Sequence, residues 1–385
     1  MATPSDSNAV VVEHPKTFLN LSFNQGGGRF TAATNEGFMV FETDPFTQTL
    51  RRTFSSNGRG GGGIGIAQSL PGSNIYALVG GGPTTKFPKN RVMIWDDQLR
   101  RCAYEFSYRS EVMSVRLRHD RIVVVLPQKI KVYDFSDLKL VHEMVTEHNP
   151  KGLCEISKTG PFVLLSLGLQ KGHVTVHDYY RRRNKQFPAH DSDIACLSLL
   201  SDGKLFATAS TKGTLIRVFD STDGSLLQEL RRGFERAEIH SLSFCPTAPR
   251  LAVSSDKGTV HVFNVNIVDS NLRINGWLNA ELKELAPAPV SRFSFIKGSF
   301  ISNHNCINNV GINAGYLPKY LSYEWSVAHF RVKEGLRHMV SFGKEKNTLD
   351  IIGIDGRLYR CKFDPEAGGE MTTLESHNFI QTELN

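Results

Sequence analysis

Two consecutive arginines, Arg231 and Arg232 in Leu230-Arg231-Arg232-Gly233, are the residues of this chain best suited to holding an anion. An extended strand sends neighbouring side chains to opposite faces, so adjacent arginines serve two sites rather than one. Gly233 then permits a close turn. The residues on either side are of the same chemical type: Arg217, Lys212, Ser210 and Thr214 before the pair, Ser254, Ser255, Thr259 and His261 after it. Arginine offers forked donors that match phosphate oxygens, hydroxyls add neutral donors, and histidine can donate in either protonation state. Two phosphate-sized sites are thus outlined, with Arg231 facing one and Arg232 the other. The plainer alternative is a solvated strand end in which Glu229 and Glu235 partner the arginines.

Other candidate chemistry is thinner. Gly58, Gly60 and Gly63 match a GxGxxG pattern, but a phosphate cradle needs a helix after it and a strand-like run follows, so an inter-blade turn is expected. Asp96-Asp97 follows Trp95 at a strand end, where acidic residues make turns. No nucleophile elbow, HExxH or Walker A lysine occurs. Cys102, Cys154, Cys196, Cys245, Cys306 and Cys361 are far apart, without metal-ligand spacing, and read as reduced core residues. The chain is therefore expected to be no enzyme, with no metal site and no cofactor.

The elements that must position the arginines are short β-rich runs separated by Gly, Asp, Asn and Pro turns, with little helical spacing. They group into units of about 40 to 50 residues, the span of a four-stranded propeller blade. Units five and six match each other: Leu205–Ser210, the turn Thr211-Lys212-Gly213-Thr214 and Leu215–Phe219 align with Leu251–Ser255, Asp256-Lys257-Gly258-Thr259 and Val260–Phe263. A seventh unit begins at Met339. The expectation is an all-β, WD40-like, seven-bladed β-propeller over residues 17–385, after a disordered leader at 1–16.

The rhythm breaks between Val265 and Trp325, for about sixty residues, far beyond an ordinary connection. This stretch, a long blade-6 loop at about 266–323, contains Trp277, Phe293, Phe295 and Ile296 interleaved with Arg292 and Lys297. It is either a tolerated excursion, since closure entropy grows slowly with length, or a membrane-touching loop. The whole chain carries 45 Lys+Arg against 38 Asp+Glu, a formal +7 that suits anionic partners. No basic block of the kind found in nucleic-acid-binding tails occurs, so no nucleic-acid partner is expected. Met1 to Pro15 lacks a secretory pattern, and no run of about 18 apolar residues could form a membrane-spanning helix. A soluble, cytosolic protein is expected.

Leu230-Arg231-Arg232-Gly233, the stretches Ala209–Phe219 and Val253–Phe263, and Leu317–Tyr320 followed by Glu324-Trp325-Ser326 resemble the PROPPIN family. These are phosphoinositide-binding propellers, including the WIPI proteins, that act in autophagy. Ala77–Gly82 and Asn90–Asp97 resemble its smaller branch, which includes fungal swollen-vacuole homologues. The resemblance implies two headgroup pockets for phosphatidylinositol 3-phosphate and phosphatidylinositol 3,5-bisphosphate. Arg231, Arg217, Ser210, Thr214 and His190 would form the first, and Arg232, Ser254, Ser255, Thr259 and His261 the second. Trp277, Phe293, Phe295 and Ile296 would belong to a membrane-inserting loop.

The same resemblance implies a monomeric effector in the cytoplasm, peripheral on vacuolar, endosomal and pre-autophagosomal membranes. It would recruit autophagy machinery there, an autophagy lipid-transfer protein among its partners. A protein-interaction propeller gripping acidic or phosphorylated peptides without lipid is the rival. Two stretches depart from the family pattern. Ser299 to Gly315 is an Asn-rich stretch that reads either as a lineage-specific insertion or as a gene-model error such as a retained intron, and Gly26 stands where an acidic residue is common in the region implicated in gripping the lipid-transfer partner.

Overall fold

The computed structural model describes residues 17–24, 27–54, 61–83, 85–266 and 324–380. The leader, Gly26, Gly58, Gly60, Cys306, Trp277, Phe293, Phe295, Ile296 and Ser299 to Gly315 lie outside them. Within them the chain forms seven antiparallel sheets, drawn in order from residues 18–53, 64–107, 114–145, 154–188, 194–231, 239–264 with Ala328–Arg331, and 338–378. This is the seven-bladed β-propeller expected.

Position within a blade accounts for the sequence of each strand. The second strands, such as Leu205–Ser210 and Arg250–Ser255, are buried along their whole length, and so tolerate near-continuous runs of small and apolar residues. Outermost strands such as Arg101–Ser107 present most side chains to water. The core is a ring of seven apolar clusters, each shared by two neighbouring blades. Cys154, Cys196, Cys245 and Cys361 are buried and in no disulfide, as expected; Cys102 is instead exposed, because it lies on an outermost strand. Asp96 and Asp97 do serve a turn: the first caps the Leu99 amide at 3.0 Å, and the second takes both ends of the Arg52 fork at 2.6 and 2.8 Å.

Blades five and six depart from four strands. Glu324–Trp325 adds in parallel to the outer strand of blade 5, opposite Leu230 and Arg231. Gly369–Glu370 adds likewise to blade 6. The sixth blade is interrupted between its third and fourth strands, where residues 267–323 intervene.

Candidate functional site

The outer strand of blade 5, Leu226–Arg231, pairs with Leu215–Asp220 so that Arg231 faces Leu215 and Glu229 faces Arg217. Residues opposite one another, and those two apart, share a sheet face, so Arg217, Glu229 and Arg231 lie on one side. Arg217 donates from Nε to Glu229 and from Nη1 to the Ala189 carbonyl, both at 2.7 Å. These bonds fix its guanidinium toward blade 4. The next residue there, His190, has Nε2 2.9 Å from Thr208 Oγ1. Burial, seconded by the Arg217 charge, pushes the His190 ring down to about 4, so it is neutral at physiological pH. Ser210 is buried at the end of the second strand, and Thr214 accepts the Arg232 amide on its carbonyl at 3.0 Å. The Arg231 guanidinium lies 4.7 Å from the centre of the Phe234 ring.

Arg232 takes the opposite side. Its Nε donates to the Gly213 carbonyl at 2.9 Å and its Nη2 to the Glu235 carbonyl. Burial lowers its pKa, while Asp256 and Glu235 oppose that shift. Its charge reaches His261 in blade 6, whose ring burial pushes down to about 4 with Arg232 and His329 assisting. His261 Nδ1 is 3.1 Å from Ser326 Oγ. Thr259 is half-buried beside it, with Oγ1 3.4 Å from the Lys257 carbonyl.

The two serines of the second group separate. Ser254 is 0% exposed, and its hydroxyl donates to the His338 carbonyl at 2.7 Å, tying blade 6 to blade 7. Its hydroxyl hydrogen is thereby committed to the junction of blades 6 and 7. Ser255 is 1% exposed, and its buried hydroxyl makes no hydrogen bond among the described residues. A buried hydroxyl left this way is costly unless something else meets it.

The matched turns of blades 5 and 6 have one geometry. Gly213 and Gly258 both take φ +64°, the left-handed region that glycine tolerates. A Cβ on Gly213 would stand 1.8 Å from the Ala237 carbonyl oxygen. The turn therefore packs directly on the backbone that follows the arginine pair.

The sequence reading thus brings together Arg217 with His190 on the blade-4 side and Arg232 with His261 on the blade-6 side. It missed Thr208, the Ala189 carbonyl, Asp256 and Ser326, and, outside the two arginine groups, the aromatic pair Phe234 and Trp325. Asp256 was visible within the repeated turn; the carbonyl had no side-chain signal. Sequence proximity also hid the base of the long excursion. Asn266 donates its amide to Gln228 Oε1 at 3.0 Å and its Nδ2 to Glu324 Oε1 at 3.2 Å, so departure and return meet on the outer strand of blade 5. Among the described residues no group of three or more His, Cys, Asp or Glu could hold a metal ion, and no helix is long and apolar enough to cross a membrane.

Comparison with known proteins gives the same frame. Autophagy-related protein 18e of Arabidopsis thaliana is 39% identical over 365 residues, covering 94% of this chain and 88% of that protein. SVP1-like protein 2 of Pichia angusta is 35% identical over 311 residues, covering 78% and 85%. The solved structure of Kluyveromyces lactis Hsv2 superposes with a TM-score of 0.70 at 21% identity over 94% of this chain and 99% of that one. The PROPPIN family model matches residues 17–276, and the chain belongs to that family.

Proposed function

We propose that this chain is a non-enzymatic phosphoinositide effector. It binds phosphatidylinositol 3-phosphate and phosphatidylinositol 3,5-bisphosphate on the rim of blades 4 to 6 and recruits autophagy machinery to vacuolar, endosomal and pre-autophagosomal membranes. The observation that carries this reading is the division of one arginine pair between two sides of a single sheet. Arg231 shares its side with Arg217, and Arg232 reaches across to His261. Ser255 adds a buried hydroxyl with no hydrogen bond among the described residues. One headgroup contact is a weak anchor; two on a rigid body, joined by a loop carrying Trp277, Phe293, Phe295 and Ile296, raise avidity through effective concentration.

The double substitution Arg231→Thr with Arg232→Thr tests it by co-sedimentation with vesicles containing either lipid. A loss of at least about fiftyfold in apparent affinity is expected, because charge-assisted contacts vanish from both sites. Undiminished binding by the variant sinks the lipid assignment. Binding that ignores inositide content in protein-free vesicles, yet follows phosphorylated or acidic peptides, turns the reading to the peptide-binding propeller. The lipid-transfer partner is proposed on family membership alone.

A further inference from the structure

Phe234, 67% exposed, and Trp325, 43% exposed, form a cluster outside the two arginine groups. Their ring centroids are 5.4 Å apart at 51°, and the Arg231 guanidinium lies over Phe234 on its other contact. Single exposed apolar side chains are commonplace and call for no explanation. This pair is different because separate parts of the chain build it. Phe234 comes from the turn after the arginines. Trp325 is delivered by the two-residue strand Glu324–Trp325, which hydrogen-bonds alongside Leu230 and Arg231. The strand is anchored at its start by the Asn266 amide on Glu324. The aromatic rings are thus held on the scaffold, next to the anion sites.

We infer that Phe234 and Trp325 are an aromatic anchor that enters the headgroup region of an anionic bilayer beside the arginine sites. This rests on the lipid reading for its orientation. The occupant follows from the chemistry of the rim. Aromatic rings with a wet edge favour the membrane–water interface, where neighbouring cations complement lipid phosphate. Lys212 and Arg236 are exposed on the same turns, next to Arg231 and Arg232. Of the nearby carboxylates, Glu229 is paired with Arg217 and Glu324 accepts from Asn266, while Glu235, beside Phe234, and Asp256 act on Arg232, leaving Lys212 and Arg236 as the exposed cations of the rim. A cationic rim around an apolar pair complements an anionic lipid surface. Phe234 and Trp325 both fall outside residues 267–323 in the sequence.

The test uses the full chain and vesicles of phosphatidylcholine and phosphatidylserine, with and without phosphatidylinositol 3-phosphate. In a chain carrying Trp95→Phe and Trp277→Phe, Trp325 is the remaining tryptophan, and its emission should shift to the blue and be quenched by brominated lipid on binding. Phe234→Ser should lower vesicle partitioning about tenfold, while the affinity for water-soluble inositol 1,3-bisphosphate stays within about twofold. Phe234→Trp, which keeps the ring, should restore partitioning. Inositide-dependent binding with Trp325 unquenched overturns the anchor and spares the lipid reading. Quenching on phosphatidylserine alone, indifferent to inositide, does the reverse. Equal loss of vesicle and soluble-headgroup binding in Phe234→Ser overturns the anchor, because the ring then only shapes the pocket. Absence of binding to every vesicle overturns both.

Discussion

Ser254 and Ser255 are neighbours of one type with opposite tasks. The Ser254 hydroxyl bonds across the blade boundary to His338, whereas the Ser255 hydroxyl is buried with no hydrogen bond among the described residues. Removing one partner of a buried bond leaves a carbonyl unsatisfied, so Ser254→Ala should cost about 1 to 3 kcal/mol of stability and leave inositide affinity unchanged. Ser255→Ala removes an unmet group, so its stability should be unchanged or higher while affinity falls. Urea midpoints and vesicle titrations on both variants check this. The reversed pattern would place Ser254 in the pocket and make Ser255 structural. The alternation that divides Arg231 from Arg232 was legible in the sequence, because it needs only an extended backbone. Which serine bonds across the blade boundary was not, since that depends on the seventh blade packed against the sixth. The depressed pKa values of His190 and His261 were hidden for the same reason: burial, their main cause, comes from neighbouring blades.

Among the elements, the matched turns of blades 5 and 6 do most to place the site. Their Lys-Gly-Thr repeat was readable, and the structure supplies its reason in the shared φ of +64° at Gly213 and Gly258. Gly213→Ala would add both left-handed strain and a collision with the Ala237 carbonyl. The expected loss is about 2 kcal/mol or more, accompanied by weaker binding at both arginine sites, because the Arg232 Nε bond is to the Gly213 carbonyl. A thermal or urea melt measures the first effect and vesicle binding the second; an unshifted midpoint would show that the turn relaxes freely. The blade-5 edge strand Glu324–Trp325 was not legible as a strand. It is two residues long, pairs in parallel, and finds its partner far back in the sequence, where neither periodicity nor turn chemistry gives a signal. In the sequence its Trp stands within a family motif, and its tilted packing against Phe234 emerges from the fold.

At the scale of the molecule, among the described residues no strand is shared between the first and last blades, and side chains join them. Phe379 of the last blade packs against Phe18, Phe30 and Phe41 with centroids 5.1 to 5.3 Å apart. Beside it, buried Arg360 holds both Asp44 oxygens at 3.1 and 2.8 Å and has Asp350 at 3.7 Å. Burial pushes the Asp350 carboxyl up to about 6, with Arg360 opposing and the Asp44 and Glu375 charges adding to the rise. A carboxyl raised in this way contributes stability that is fully present below its unfolded value near 3.8 and lost as pH rises through about 6. At neutral pH its charge therefore works against closure, and Arg360 makes that charge tolerable. Asp350→Asn should accordingly match or exceed the parent chain in urea midpoint at pH 7.5, with any advantage shrinking toward pH 4.5, where Asp350 itself is protonated. Arg360→Ala should do the opposite, costing about 3 kcal/mol or more by stranding two carboxylates at the joint. Equal destabilisation by the two variants at pH 7.5 would mean that the Asp350 charge supports the closure, and that Arg360 and Asp350 act as a simple ion pair.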